Sequence, residues 1–281
     1  MIRNVLGVTV VLAICLFSAR AARAQANQAL NVASQPPEIL NIVHQQFVSG
    51  KDASYEELLA AIARNYDRAR TPVYWFGGPS LTGASGAICL NFFDTFADME
   101  ATADALGKSN AAHPEWVPMQ QRLLTFVSSE TNEIAVRRDG IGYRAASIDF
   151  SKARILRVAT IHVRQGYEEE FAEAMRDLSA AYASLNADAP WVTYQVNAGA
   201  PSTTFVIFMP MRSLKEMDDY IARTKTLHDA EGRTVDSRLQ EIARNAYISW
   251  DSELYFVDAA SSHVSDDFAA GDPGFWRSAQ H

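Results

Sequence analysis

The sequence contains one pattern of elements twice, and that repeat limits the folds open to it more than any other feature. The second copy is the clearer. Ile155 to Val163 is rich in β-branched residues and ends at Gly166, which predicts a strand. Tyr167, Phe171, Met175, Leu178, Tyr182 and Leu185 then recur at steps of three and four, so they share one face of a helix while Glu168, Glu169, Glu173 and Asp177 stay in water. After Pro190 come a strand from Trp191 to Val196, a turn from Asn197 to Ser202 and a strand from Thr204 to Met209. Ser213 and Glu216 form a capping box that opens a second helix, with Leu214, Met217 and Ile221 as its buried stripe.

The first copy aligns without gaps, Ile39-Leu40 over Ile155-Leu156 and Gly50 over Gly166. Ser54 and Glu57 make a capping box, and Tyr55, Leu58, Ile62 and Tyr66 an apolar stripe. Pro72 to Phe76 reads as a strand, Gly77 to Gly86 as a loop and Ala87 to Phe93 as a strand. A helix carrying Phe96, Met99, Ala103 and Leu106 should close at Gly107. Each copy continues through a histidine-containing connection, Ala112 to Glu115 or Leu227 to Glu231, into a further helix and a last strand. Those strands carry related phrases, Val127-Ser-Ser-Glu-Thr-Asn-Glu-Ile134 and Ile248-Ser-Trp-Asp-Ser-Glu-Leu254.

The expected organisation is a leader over residues 1–26, one α+β repeat over 27–149, a second over 150–258, and a flexible tail over 259–281. Arg3, the short apolar run from Val5 to Phe17, and the small residues Ala22, Ala24 and Ala26 read as a secretory signal peptide, which implies export to the periplasm or the medium. Ile14 before Cys15 is too bulky for a typical lipoprotein signal, and no other run could span a membrane. Losing Arg3, Arg20 and Arg23 takes the formal charge from -8 to about -11, which argues against nucleic acid or anionic lipid as a partner. Cys89 is then the single cysteine, lying between Ile88 and Leu90 as a small buried hydrophobe, and no intrachain disulfide can form.

An antiparallel sheet with helices on one face leaves the other bare, and two such sheets hide it by packing together. In this the sequence resembles the dimeric α/β-barrel superfamily, the ferredoxin-like units that include antibiotic-biosynthesis and haem-degrading monooxygenases. The resemblance implies two tandem ferredoxin-like units packed sheet to sheet as an intramolecular barrel. It covers the mature chain as element order, and its sharpest local feature is a histidine after the second helix, His113 and His228, which makes both catalytic candidates. In haem-degrading members that histidine binds iron, but the tryptophan three turns earlier in their pattern is replaced by Ala103 and Asp218, which argues against that chemistry.

Strand alternation supports an interior separately. Leu156, Val158, Thr160, His162 and Arg164 mix polar with apolar on one face, as do Leu40, Ile42, His44, Gln46 and Val48, while Ile155, Ala159, Ile161 and Val163 suit a helix layer. The candidate ligand-binding residues are therefore His44, Gln46, Thr160 and His162, with the aromatic Tyr74 and Tyr194. Each histidine could equally be satisfied by a neighbour in a packed sheet. Two metal-ligating residue types per copy, His113 with Glu115 and His228 with Glu231, fall short of a usual zinc set, so no metal is expected. The sequence has no Gly-x-Gly-x-x-Gly, Walker loop, His-Glu-x-x-His or Gly-x-Ser-x-Gly, and no cofactor is expected. Two readings remain: an exported small-molecule-binding protein, or a cofactor-independent monooxygenase-like enzyme acting on a small aromatic or phenolic substrate. Assembly into a homo-oligomer is open.

Overall fold

A computed structural model describes residues 34–230 and 234–277, with backbone alone for Thr224, residues 226–230 and 234–236. The expected leader and its cleavage site lie outside the described residues. The first half runs β1 (Ile39–Phe47), α1 (Asp52–Ala69), β2 (Phe76–Pro79), β3 (Gly86–Phe93), α2 (Phe96–Ala112), α3 (Trp116–Leu124), β4 (Val127–Arg137). The second repeats it as β5 (Ile155–Val163), α4 (Glu168–Ser184), β6 (Val192–Ala198), β7 (Thr204–Met211), α5 (Lys215–Ala230), α6 (Thr234–Ala246), β8 (Tyr247–Phe256). Two short helices follow, α7 (Asp266–Ala270) and α8 (Pro273–Trp276).

The strands form one antiparallel sheet in the order β2-β3-β1-β4-β6-β7-β5-β8. Each half thus has the ferredoxin-like order, and the two four-stranded sheets face one another as the walls of a barrel. One seam is the β4–β6 pairing, from Ile134 opposite Ala198 to Arg137 opposite Tyr194. Across the other seam the Asp258 amide donates to the Gly77 carbonyl at 2.8 Å, the Leu81 amide donates to the Leu254 carbonyl at 2.7 Å, and Ser80 bridges Tyr255. A Cβ on Gly78 would stand 2.5 Å from the Phe256 carbonyl oxygen, so glycine there lets β2 approach β8.

Alternation along β1 and β5 distributes the core as expected. Leu40, Ile42, Leu156 and Val158 face inward, into a cluster with Phe92, Tyr194, Phe208 and Tyr255. Val43 lies beneath α1 with Tyr55 and Tyr66, and Ile161 and Val163 lie beneath α4 with Phe171 and Met175. Burying each such side chain contributes about 1.5–3 kcal/mol, so the barrel is held as firmly by its helical jacket as by its interior.

Several local expectations need correction. The second strand is Phe76–Pro79, not Pro72 to Phe76, because Trp75 is already paired with His263 of the C-terminal segment. Helix α2 continues through Gly107 to Ala112, since a helical glycine with open space around it need not end a helix. Its cap is Thr95 with Asp98, a complete capping box. Ser54 lies inside α1, which starts at Asp52 with no side-chain cap. At α5, Glu216 accepts from the Arg212 amide at 3.2 Å in place of the expected bond to Ser213, and Leu214 and Ile221 are exposed. Phe96 is likewise exposed.

The largest correction is the C-terminal tail, expected to be loose and instead built into the core. Trp75 and His263 exchange backbone hydrogen bonds of 2.8 and 2.9 Å, Phe268 and Trp276 are 1% exposed, and the Trp276 indole donates to the Ser151 carbonyl at 2.8 Å. Phe268 meets Phe76 at 5.3 Å, and Phe150 meets Phe92 at 5.2 Å, which fills one end of the barrel with aromatic rings.

Candidate functional site

With one end filled, the polar inward-facing positions gather at the other. Register places them. Opposite His44 and Ile42 on β1 stand Thr131 and Glu133 of β4, and opposite Val158, Thr160 and His162 on β5 stand Glu253, Asp251 and Ser249 of β8. Thr204 of β7 pairs with His162 on its other side.

One chain of contacts crosses this mouth, and a second pair lies along one wall. In the first, the Tyr255 hydroxyl donates to the Glu253 carboxylate and lies 3.2 Å from Nδ1 of His44, joining the two halves. Because the phenol proton is directed at Glu253, the phenol oxygen is left to accept from Nδ1–H, and the lone pair of His44 resides on Nε2. Burial lowers the His44 pKa, with the Glu253 charge opposing, so the ring is neutral at pH 7. The Tyr255 hydroxyl is pushed up by burial and by its bond to Glu253. On the wall of the second half, His162 Nδ1 lies 2.9 Å from the hydroxyl of its cross-strand neighbour Thr204. Glu133 is 9% exposed, its Oε2 is buried without a hydrogen-bond partner, and its pKa is raised by burial while the nearby His162 pulls it back.

Of the expected ligand-binding residues, His44, Thr160 and His162 share this mouth and are half-buried. Gln46 is at its exposed rim, accepting from the Ser129 hydroxyl at 3.0 Å. Tyr74 and Tyr194 do not belong to it. Tyr74 stacks on His263 at 5.2 Å beside Phe268, at the filled end. Tyr194 is fully buried and donates to the Pro37 carbonyl at 3.0 Å. Cys89 is buried under α1, and burial pushes its thiol up to about 12, the state of an inert thiol.

His113 caps the C-terminus of α2, lies flat on Trp116 at 4.1 Å with ring planes 9° apart, and turns Nδ1 to Glu115 at 3.3 Å. That is a turn histidine on the outer layer. His228 falls within α5 and not before a helix, and its side chain lies outside the described residues. Among described histidines, His44 and His162 face the interior with Nδ1 engaged by Tyr255 and Thr204, His263 is buried with Nδ1 2.8 Å from the Val73 carbonyl, and His113 lies on the outer layer. Among the described residues no group of three His, Cys, Asp or Glu side chains is placed to hold a metal ion.

Glu133, Glu253, Tyr255 and Thr204 are the members that reading the sequence missed. The signal was present for two of them, since the related phrases on the last strands superpose Glu133 on Glu253.

No protein-family profile and no curated protein matches the sequence. Solved structures do. An anthrone oxidase-like protein is 11% identical with a TM-score of 0.52, over 80% of this chain and 93% of its own. A presumed monooxygenase from Fusobacterium nucleatum is 10% identical with a TM-score of 0.51, over 78% of this chain and 91% of its own. At such identities the likeness establishes architecture. No described helix is long and apolar enough to cross a membrane. The chain has the fold of the dimeric α/β barrels, with both halves of the barrel supplied by one polypeptide.

Proposed function

We propose that the polar mouth is an active site in which His44 takes a proton from a small aromatic or phenolic substrate, in the manner of a cofactor-independent monooxygenase. The observation that carries this is the His44–Tyr255–Glu253 chain. A neutral imidazole with its lone pair on Nε2 is a base, and a phenol bonded to a carboxylate behind Nδ1 fixes the tautomer and steadies the imidazolium once formed. Removing a proton from an activated carbon or a phenol makes the electron-rich anion that dioxygen can oxidise. For an activated methylene, one methylene group and one molecule of dioxygen give one carbonyl group and one molecule of water. Both C–H bonds break, one oxygen atom enters the product, the other leaves as water, and the substrate supplies all the electrons. The names of the two solved structures described above support an oxygenase over a passive carrier, as a likeness of architecture.

Oxygen uptake and product formation over a panel of phenols and activated methylene compounds test the proposal. Wild-type protein should consume oxygen with at least one compound, and His44→Ala should lose about a hundredfold or more of that rate. If no compound is turned over and a small molecule co-purifies unchanged, the protein is a binding module and His44 a contact residue. Export is also part of this reading, from Arg3 and the apolar run that follows it.

A further inference from the structure

We infer that the mouth receives a small organic cation, a substrate carrying a protonated amine, and that Glu133 is its counter-ion. The inference names a substrate class for the site proposed above, and depends on its location but not on proton transfer there. Three observations carry it. First, Glu133 is more than nine-tenths buried, sits on the inward face opposite Ile42, and holds Oε2 without a partner. A buried carboxylate oxygen is destabilising until a donor reaches it, so an unfilled one on the face it shares with the half-buried His44, Thr160 and His162 is a place for a donor from outside.

Second, the charges around it are mostly negative. Asp251 and Glu253 occupy inward positions on β8, and the other inward side chains at this end are Thr131, Ser129, Gln46, His44, Thr160, His162, Thr204 and Ser249. Of the arginines of matching strand parity, two lie at the filled end in ion pairs, Arg137 with Glu38 and Asp139 and Arg154 with Asp272, and the third, Arg164, is exposed at the outer rim beyond His162 with Nε donating to the Asn245 carbonyl at 3.2 Å. Beside Glu133 a carboxylate or phosphate substrate would meet three acids against the one rim arginine, whereas an ammonium would be drawn in.

Third, the acids are not interchangeable. Glu253 already accepts from Tyr255 and its other oxygen faces the loop at Gly83, where a Cβ would come within 2.6 Å of it, and Asp251 is exposed. Glu133 alone among the three combines burial with an open acceptor. His162, its neighbour, already has Thr204 at Nδ1. An ammonium reaching Glu133 would lie with its attached ring toward His44, so a phenol and an amine on one short molecule could engage both halves of the mouth.

Calorimetric binding of three probes that share a phenol ring decides the matter: tyramine, p-cresol and 4-hydroxyphenylacetate, each titrated at pH 8 into full-length protein. Tyramine should bind at least about tenfold more tightly than either congener, and Glu133→Gln should remove that preference while circular dichroism shows the fold intact. Equal affinities, a preference for the anion, no detectable binding of any probe at several millimolar, or a cation preference that survives in Glu133→Gln would each overturn the inference. The wild-type series decides the charge preference even if the variant does not fold. His44→Ala separates the two proposals, because it should cut oxygen uptake about a hundredfold or more and leave the preference among the probes in place.

Discussion

Replacing Trp276 by alanine tests whether the C-terminal segment is part of the barrel. Trp276 is 1% exposed, packs on Phe268 at 5.3 Å and on Phe275 at 4.9 Å, and donates its indole N–H to the Ser151 carbonyl at 2.8 Å. Truncating a fully buried tryptophan removes its transfer energy and leaves a cavity, together about 3–5 kcal/mol. For a domain of this size, about 2–4 °C of melting temperature is lost per kcal/mol, so the midpoint should fall by roughly 6–20 °C. Trp276→Phe keeps most of the contact area and loses the bond to Ser151, so it should cost less, about 1–2 kcal/mol. Both are read from thermal melts at one pH by circular dichroism, with guanidinium unfolding as a check. A shift under about 2 °C for Trp276→Ala would refute the reasoning: the segment would then be an appendage, and the aromatic plug would contribute nothing to the fold.

Acid should destabilise the protein through its buried histidines. His44 and His263 have pKa values lowered by burial, so below about pH 6.5 the unfolded chain binds protons that the folded one does not, and stability falls as pH drops through that window toward the folded pKa values. His263→Asn should reduce the difference between melts at pH 8 and pH 5.5, and an unchanged difference would remove His263 from the account; Glu130 and Glu133, raised by burial, act in the opposite sense in both proteins and cancel in the comparison. Ile161→Ala should cost roughly 2–5 kcal/mol, since Ile161 is 5% exposed beneath α4, whereas His162→Ala, at the half-open mouth, should cost about 0.5–1.5 kcal/mol. Equal losses in the two melts would make His162 a core residue. Intact-mass measurement of protein recovered outside the cytoplasm should show cleavage near Ala24 or Ala26, and a mass that retains Met1 to Ala26 would end the export proposal.

What the sequence disclosed, and what it hid, follows from how each signal is encoded. Strand faces were legible because alternation is rigid: once Ile161 and Val163 are assigned to the helix layer, His162 must face inward. The helices of both copies were legible from their stripes, but their ends were not, because Ser54, Gly107 and Ser213 carry end signals that packing overrides. Strand β2 was displaced in the reading since Gly77-Gly78-Pro79 has the composition of a loop; the closeness of β8 is what requires glycine there, and no local signal conveys it. The C-terminal segment misled for a similar reason. Its Gly, Pro, Ser and Asp residues describe its turns, while its energy comes from Phe268 and Trp276, too far apart and too irregular to register as a period. In the site, Glu133 and Glu253 stood in the phrases that identified the repeat, yet their joint meaning requires the register that turns both toward one interior.

That register also shows what fusion of the two halves permits. In a barrel made of two identical chains, every inward residue appears twice, and a base placed on one wall is matched by the same base on the other. Here the pseudo-equivalent positions have separated: His44 corresponds to Thr160, Gln46 to His162 and Ala135 to Tyr255, while Glu133 and Glu253 keep the same residue type. The outcome is two carboxylates in different circumstances. Glu253 is bonded to Tyr255 and stands behind His44, and Glu133 faces His162 with an oxygen left open. Environments that set like groups apart are what divide roles between them in a site. A symmetric barrel could hold one such arrangement only by holding both copies of it, with two bases and two relays competing for the same small mouth. A single polypeptide can give one half the proton relay and the other half the counter-ion, and so present a substrate with two different ends.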